Sequence, residues 1–114
     1  MIDDTYNASP ASLSAACRLL GEFPEDGRRV LVLGEMAELG PAAAGYHRQA
    51  GAAAAAAGVD LLFACGRFAS DVCNGARLAG LDQAATRRFQ ELGTLWRQLT
   101  PELEAGDVIL VKGS

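Results

Sequence analysis

Two rhythms of apolar and polar positions take turns along this chain. Leu13, Ala16, Cys17 and Leu20 fall at i, i+3, i+4 and i+7, the spacing that lines one face of a helix. Ser9-Pro10 ahead of them supplies an N-cap and a proline at the first helical position, so a helix is predicted over 10–21. Past a turn at Pro24 to Gly27, Val30 to Leu33 are continuously apolar behind Arg29, as a strand covered on both faces requires, and Gly34 ends the run. The loop 35–41 leads into a helix over 42–57, with Tyr46, Ala50, Ala53, Ala54 and Ala57 along one side. Leu61 to Cys65 is a third strand, again stopped by glycine. A helix over 67–78 uses Phe68, Val72 and Ala76, and Thr86 to Phe89 reads as a short strand. Leu92, Leu95, Trp96 and Leu99 restore the helical stripe before Pro101, and Val108 to Val111 forms the last strand. At the other end, Met1-Ile2-Asp3 reads as a stub of strand that enters a turn-rich polar segment almost at once.

Five strands thus alternate with four helices. Such alternation implies right-handed crossovers and a mainly parallel sheet of about five strands with helices on both faces, an α/β, Rossmann-like three-layer sandwich. At 114 residues, with no linker, charge block or internal repeat, the chain is one domain with a sizeable core. The six-alanine run Ala52 to Ala57 belongs to a helix packed closely on its neighbours.

Charge and composition narrow the function classes. The net charge is −4 and the ten Lys and Arg are scattered, so no basic stripe exists to neutralise a phosphate backbone or an anionic membrane surface. The longest apolar tract, Gly51 to Leu62, is mostly alanine, contains Asp60 and is too short to span a bilayer. Cys17, Cys65 and Cys73 lack the spacing and neighbours of a zinc site; reduced thiols and a cytoplasmic location are expected. No G-x-x-x-x-G-K-[ST] phosphate loop occurs, so the chain does not cradle and cleave ATP by that route alone.

In an open parallel sheet the ligand crevice lies beyond the carboxyl ends of the strands, which singles out the residues that leave those ends. Asp3 and Asp4 leave the first strand, where a carboxylate either accepts bonds from the hydroxyls of a ribose or caps a turn. Asn7 sits before a helix whose free N–H groups favour anions; it either takes part or braces the loop. Lys112, the sole lysine, ends the last strand as a flexible point charge suited to a phosphate or carboxylate, or as a solvated strand end. Glu35, Met36 and Glu38 project from the second strand-end loop, Glu35 placed either near a substrate ammonium or at the open surface. Arg67, after Cys65-Gly66, holds the third strand end and is a candidate to bind the carboxylate of an incoming substrate. His47, the sole histidine, is structural in most helices of this kind.

Three segments in one order, Asp3-Asp4-Thr5-Tyr6-Asn7-Ala8-Ser9-Pro10, Leu33-Gly34-Glu35-Met36-Ala37-Glu38-Leu39-Gly40 and Val111-Lys112-Gly113-Ser114, resemble the C-terminal domain of the bacterial D-alanyl-D-alanine-adding Mur ligases. A histidine follows the second segment in that family too, while Ser9 and Glu35 stand where asparagine and aspartate are frequent. The resemblance covers essentially all of the chain and implies a three-domain ligase. The chain is then its C-terminal domain, 1–114, with the N-terminal UDP-substrate domain and the central ATPase domain outside it and the C-terminal tail cut short. Such ligases join D-alanyl-D-alanine to UDP-N-acetylmuramoyl-tripeptide. ATP, with Mg2+, phosphorylates the substrate carboxylate, and the dipeptide amine attacks the acyl phosphate. The resemblance implies that Asp4, Asn7 and Lys112 contact the nucleotide, that Glu35, Arg67 and Ser114 contact substrate, and that the central domain holds ATP and Mg2+ for the most part. No catalytic residue is then expected within the chain. Two other readings fit an α/β unit of this size: a phosphoacceptor receiver domain of signalling, which needs an aspartate at the end of the third strand, and a noncatalytic interaction module.

Overall fold

The computed structural model describes residues 10–22 and 27–112, together with the backbone of residues 2–4. Five strands, β1 (Ile2–Asp4), β2 (Arg29–Leu33), β3 (Leu61–Cys65), β4 (Thr86–Phe89) and β5 (Val108–Lys112), form one sheet in the order β1-β5-β2-β3-β4, with every neighbouring pair parallel. Four helices connect them: α1 (Pro10–Glu22), α2 (Ala43–Ala56), α3 (Ala69–Leu78) and α4 (Leu92–Leu99).

Alternate residues of each central strand enter two separate cores. Leu31, Leu33, Leu62, Ala64, Val108 and Leu110 pack with the buried faces of α1, α2 and α3. Val30, Val32, Phe63, Ile109 and Val111 pack against Leu95 and Leu99 of α4 on the opposite side. The unequal division follows from the strand order. The steps β1 to β2, β2 to β3 and β3 to β4 all run the same way across the sheet, so crossovers of one hand lay α1, α2 and α3 on one face. The step from β4 to β5 runs backward, and keeping the same hand sends α4 over the other face.

Strand limits follow the apolar runs, with β5 extended by one residue to Lys112. Helix details depart from the expected stripes for identifiable reasons. The face of α2 that is buried carries Ala43, His47, Ala50, Gly51 and Ala54, and Tyr46 is exposed. The register is set by contact with α3. A Cβ at Gly51 would stand 1.9 Å from the carbonyl oxygen of Val72, and one at Gly75 would stand 2.0 Å from that of Arg48, so the two helix backbones touch through glycine. Helix α3 begins at Ala69 rather than at Arg67, because Gly66 at φ +103° turns the chain sharply off β3.

At the amino ends of the strands, polar groups close the bottom of the sheet. Asp60 accepts the N–H of Arg29 at 2.7 Å, and Asp107 accepts from Arg28 Nε at 3.2 Å, Arg28 Nη2 at 2.9 Å and the N–H of Glu104 at 2.8 Å.

Candidate functional site

The carboxyl ends of β1, β5, β2 and β3 stand side by side, so the residues leaving them share one edge roughly 14 Å across at the usual strand spacing. Asp4 of β1 is in register with Lys112 of β5, and Lys112 with Leu33 of β2. The Gly34 N–H donates to the carbonyl of Lys112 at 2.7 Å, which ties the start of the Glu35 loop to the end of β5. The Lys112 side chain is buried, at 2% exposure, so it is no solvated strand end. Asn7 and Ser114 lie outside the described residues, as does the side chain of Asp4.

Glu35 and Arg67 meet. The Arg67 guanidinium donates to Glu35 Oε2 from Nη2 at 2.8 Å and from Nε at 3.3 Å, and the backbone N–H of Arg67 donates to Glu35 Oε1 at 3.0 Å. Three donors on one carboxylate, with the Arg67 side-chain bond the strongest influence, hold the Glu35 carboxyl below the ordinary glutamate range. Gly66 makes the approach possible, since a Cβ there would lie 3.0 Å from Glu35 Oε1. Glu35 is three-quarters covered, whereas the Arg67 side chain is 79% exposed and keeps guanidinium surface free to meet a further anion.

Beside this pair lies an open cleft of about 690 Å3, lined by Gly66, Arg67 and Ser70 on the β3 side and by Arg88, Phe89 and Gln90 on the β4 side. Its position has a topological cause. The chain leaves β3 toward the α1–α3 face and leaves β4 toward the α4 face, and where neighbouring loops part in this way an α/β sheet opens its ligand crevice. Arg88 donates to Ser70 Oγ at 2.7 Å, giving the cleft a second guanidinium. Sequence reasoning reached Arg67 but missed Arg88 and Ser70, because their meeting depends on strand order, which periodicity does not encode.

His47 is buried within the same edge. The backbone N–H of Met36 donates to its Nε2 at 3.0 Å, so the proton is assigned to Nδ1, which donates to the carbonyl of Ala43 at 2.6 Å. Its ring stacks on Phe68 with centroids 4.6 Å apart. Among the described residues no group of three or more His, Cys, Asp or Glu is placed to hold a metal ion, and no helix is long and apolar enough to cross a membrane. The cysteines are free; burial raises the Cys17 thiol to about 11, so Cys17 is unreactive packing. The receiver reading fails on position, since Ala64 and Cys65 end β3 and Asp60 sits at its amino end.

Comparison with known proteins finds relatives along the whole chain. The UDP-N-acetylmuramoyl-tripeptide–D-alanyl-D-alanine ligase of Bacillus subtilis is 32% identical over 114 residues, covering 100% of this chain and 25% of that protein. The ligase of the same name from Synechocystis is 36% identical over 114 residues, covering 100% and 24%. A crystal structure of MurF from Acinetobacter baumannii superposes with a TM-score of 0.77 at 32% identity, over 96% of this chain and 24% of that one. The chain therefore spans about a quarter of the length of these relatives. The family model described as "Mur ligase, glutamate ligase domain" matches residues 1–114, and the chain belongs to that family.

Proposed function

We propose that this chain is the C-terminal domain of a UDP-N-acetylmuramoyl-tripeptide–D-alanyl-D-alanine ligase, a cytoplasmic enzyme of peptidoglycan synthesis, and that its strand-end edge is divided between two substrates. The observation that carries the reading is the Glu35–Arg67 pair beside the β3/β4 cleft. It sets a carboxylate and an incompletely covered guanidinium where the loops leaving β3 and β4 part and open a crevice.

A dipeptide zwitterion presents an ammonium and a carboxylate, and Glu35 and Arg67, with Arg88 alongside, offer the complementary charges. Asp4 on β1 and Lys112 on β5, the strand next to β2, form the nucleotide end: Asp4 accepts from ribose hydroxyls and Lys112 contacts a phosphate or carboxylate, with Asn7 also assigned to the nucleotide and Ser114 to substrate. ATP supplies the phosphoryl group that activates the tripeptide carboxylate. The described residues contain no phosphate loop and no metal-ligating cluster, so the reading assigns Mg2+ and phosphate cleavage to the central domain. The dipeptide amine then attacks the acyl phosphate, forming the amide bond and releasing phosphate. This domain orients the amine and, on closing, excludes water from the hydrolysable acyl phosphate.

The test is amine specificity in the full-length protein carrying this domain, assayed with UDP-N-acetylmuramoyl-tripeptide and ATP. D-Alanyl-D-alanine is expected to be consumed, with the UDP-pentapeptide formed one for one with phosphate, and the 114-residue chain alone is expected to release none. Ligation of a single amino acid in place of the dipeptide would contradict the assignment, and the absence of any ligation would favour a noncatalytic module.

A further inference from the structure

Five residues from two loops and a helix close a ring at this edge. Glu35 bonds Arg67, the Arg67 guanidinium carbon lies 5.3 Å from the centroid of the Phe68 ring, and Phe68 stacks on His47. His47 in turn accepts from the N–H of Met36, the residue after Glu35. His47 is 1% exposed, as deeply buried as Met36, and alone belongs to neither loop. The Glu35 loop itself is not a relaxed turn: Glu38 sits at φ 62°, a left-handed conformation that costs a non-glycine residue on the order of 1 kcal/mol, so contacts elsewhere must hold it.

We infer that His47 is a positioning residue, whose ring fixes the Met36 backbone through Nε2 and the Phe68 ring through stacking, and so sets Glu35 and Arg67 in register across two loops. The Nδ1 bond to the Ala43 carbonyl has a separate role. It anchors the ring to its own helix, fixes the tautomer and makes Nε2 an acceptor. Helix packing alone would be served by any side chain of similar volume. The bond to Met36 requires an acceptor at the far end of the ring, and that difference separates positioning from filling. The consequence for substrate rests on the reading of this edge given above; the positioning itself does not.

The experiment uses the chain as it stands and two substitutions that divide the histidine's functions. His47→Gln keeps an acceptor near the Nε2 position, whereas His47→Asn keeps only a group near Nδ1. In the Asn variant, Met36 amide exchange is expected to accelerate by at least about tenfold, as for a lost buried hydrogen bond. The Glu35 carboxyl, followed by carbon NMR titration, is expected to move up toward the ordinary glutamate range. The Gln variant is expected to restore both readouts. Unchanged Glu35 titration in the Asn variant would overturn the proposal. Equal displacement in both variants at equal loss of melting temperature would do the same, leaving His47 as packing.

Nitrogen shifts of His47 in the unsubstituted chain need no variant: the Nδ1–H tautomer is expected, and an Nε2–H ring would overturn the proposal directly. In the full-length ligase, His47→Asn is expected to raise KM for D-alanyl-D-alanine, with Gln restoring it. If the domain readouts separate as stated while KM stays put, the positioning stands and the substrate reading of the edge falls.

Discussion

Single residues of this domain do unlike work at the two ends of the sheet, and Asp107 shows the structural kind. Its side chain is 3% exposed, bonded to Arg28 and to the N–H of Glu104 at the foot of β5. The Arg28 hydrogen bond is the largest cause holding its carboxyl below the ordinary aspartate range. A carboxyl depressed on folding contributes stability that is complete above its unfolded value near 3.9 and is lost as pH falls through the folded value. Unfolding measured against pH should therefore show the native chain weakening below about pH 5, with that part of the slope absent in Asp107→Asn. At pH 7 the substitution should cost roughly 2 to 4 kcal/mol, toward the low side of a broken buried pair because Arg28 is one-third exposed. Parallel curves for the two proteins would contradict it. Glu35 is depressed by the same physics but is paired to an arginine that is 79% exposed, so screening by water leaves that pair little weight in stability.

At the scale of elements, the tightest junction is the α2–α3 crossing. Gly51→Ala or Gly75→Ala would drive a Cβ into backbone of the other helix, which cannot turn aside as a side chain can. Each should cost roughly 2 to 4 kcal/mol, outweighing the gain of about 1 kcal/mol in helix propensity. Gly45→Ala, on the same α2 but with no neighbour closer than 3.8 Å, should instead stabilise by about 0.5 to 1 kcal/mol. Urea midpoints for the three variants test the contrast, and a shared sign would refute the packing described. The same crossing marks where sequence reading reached its limit. The runs Val30 to Leu33, Leu61 to Cys65 and Val108 to Val111 are legible because a strand buried on both faces must be apolar throughout. The alanine-rich α2 carries almost no contrast between its faces, so its stripe reads one residue away from the face that α3 covers. Glycine, mute in a periodicity argument, decides that register. The Glu35–Arg67 pair was partly legible: each residue follows a strand end, yet their contact depends on Gly66 and on β2 lying beside β3.

Across the whole molecule, one rule of handedness connects the fold to its candidate site. Three forward crossovers and one backward one put three helices on one face and one on the other, and the loops part between β3 and β4. The cleft opens there, with Arg67 and Arg88 on its rim, while β1 and β5 set Asp4 beside Lys112 farther along the same edge. Division of that edge between dipeptide and nucleotide is the central claim, and Arg67 tests it most directly because its exposed guanidinium can be removed at little cost to folding. The measurement is steady-state kinetics of Arg67→Met in the full-length ligase with each substrate varied in turn. The expected result is a fall of at least about tenfold in kcat/KM for D-alanyl-D-alanine, as for a lost charge-assisted contact, with KM for ATP within about twofold of the native value. An unchanged kcat/KM for the dipeptide, or a loss falling on ATP instead, would contradict it.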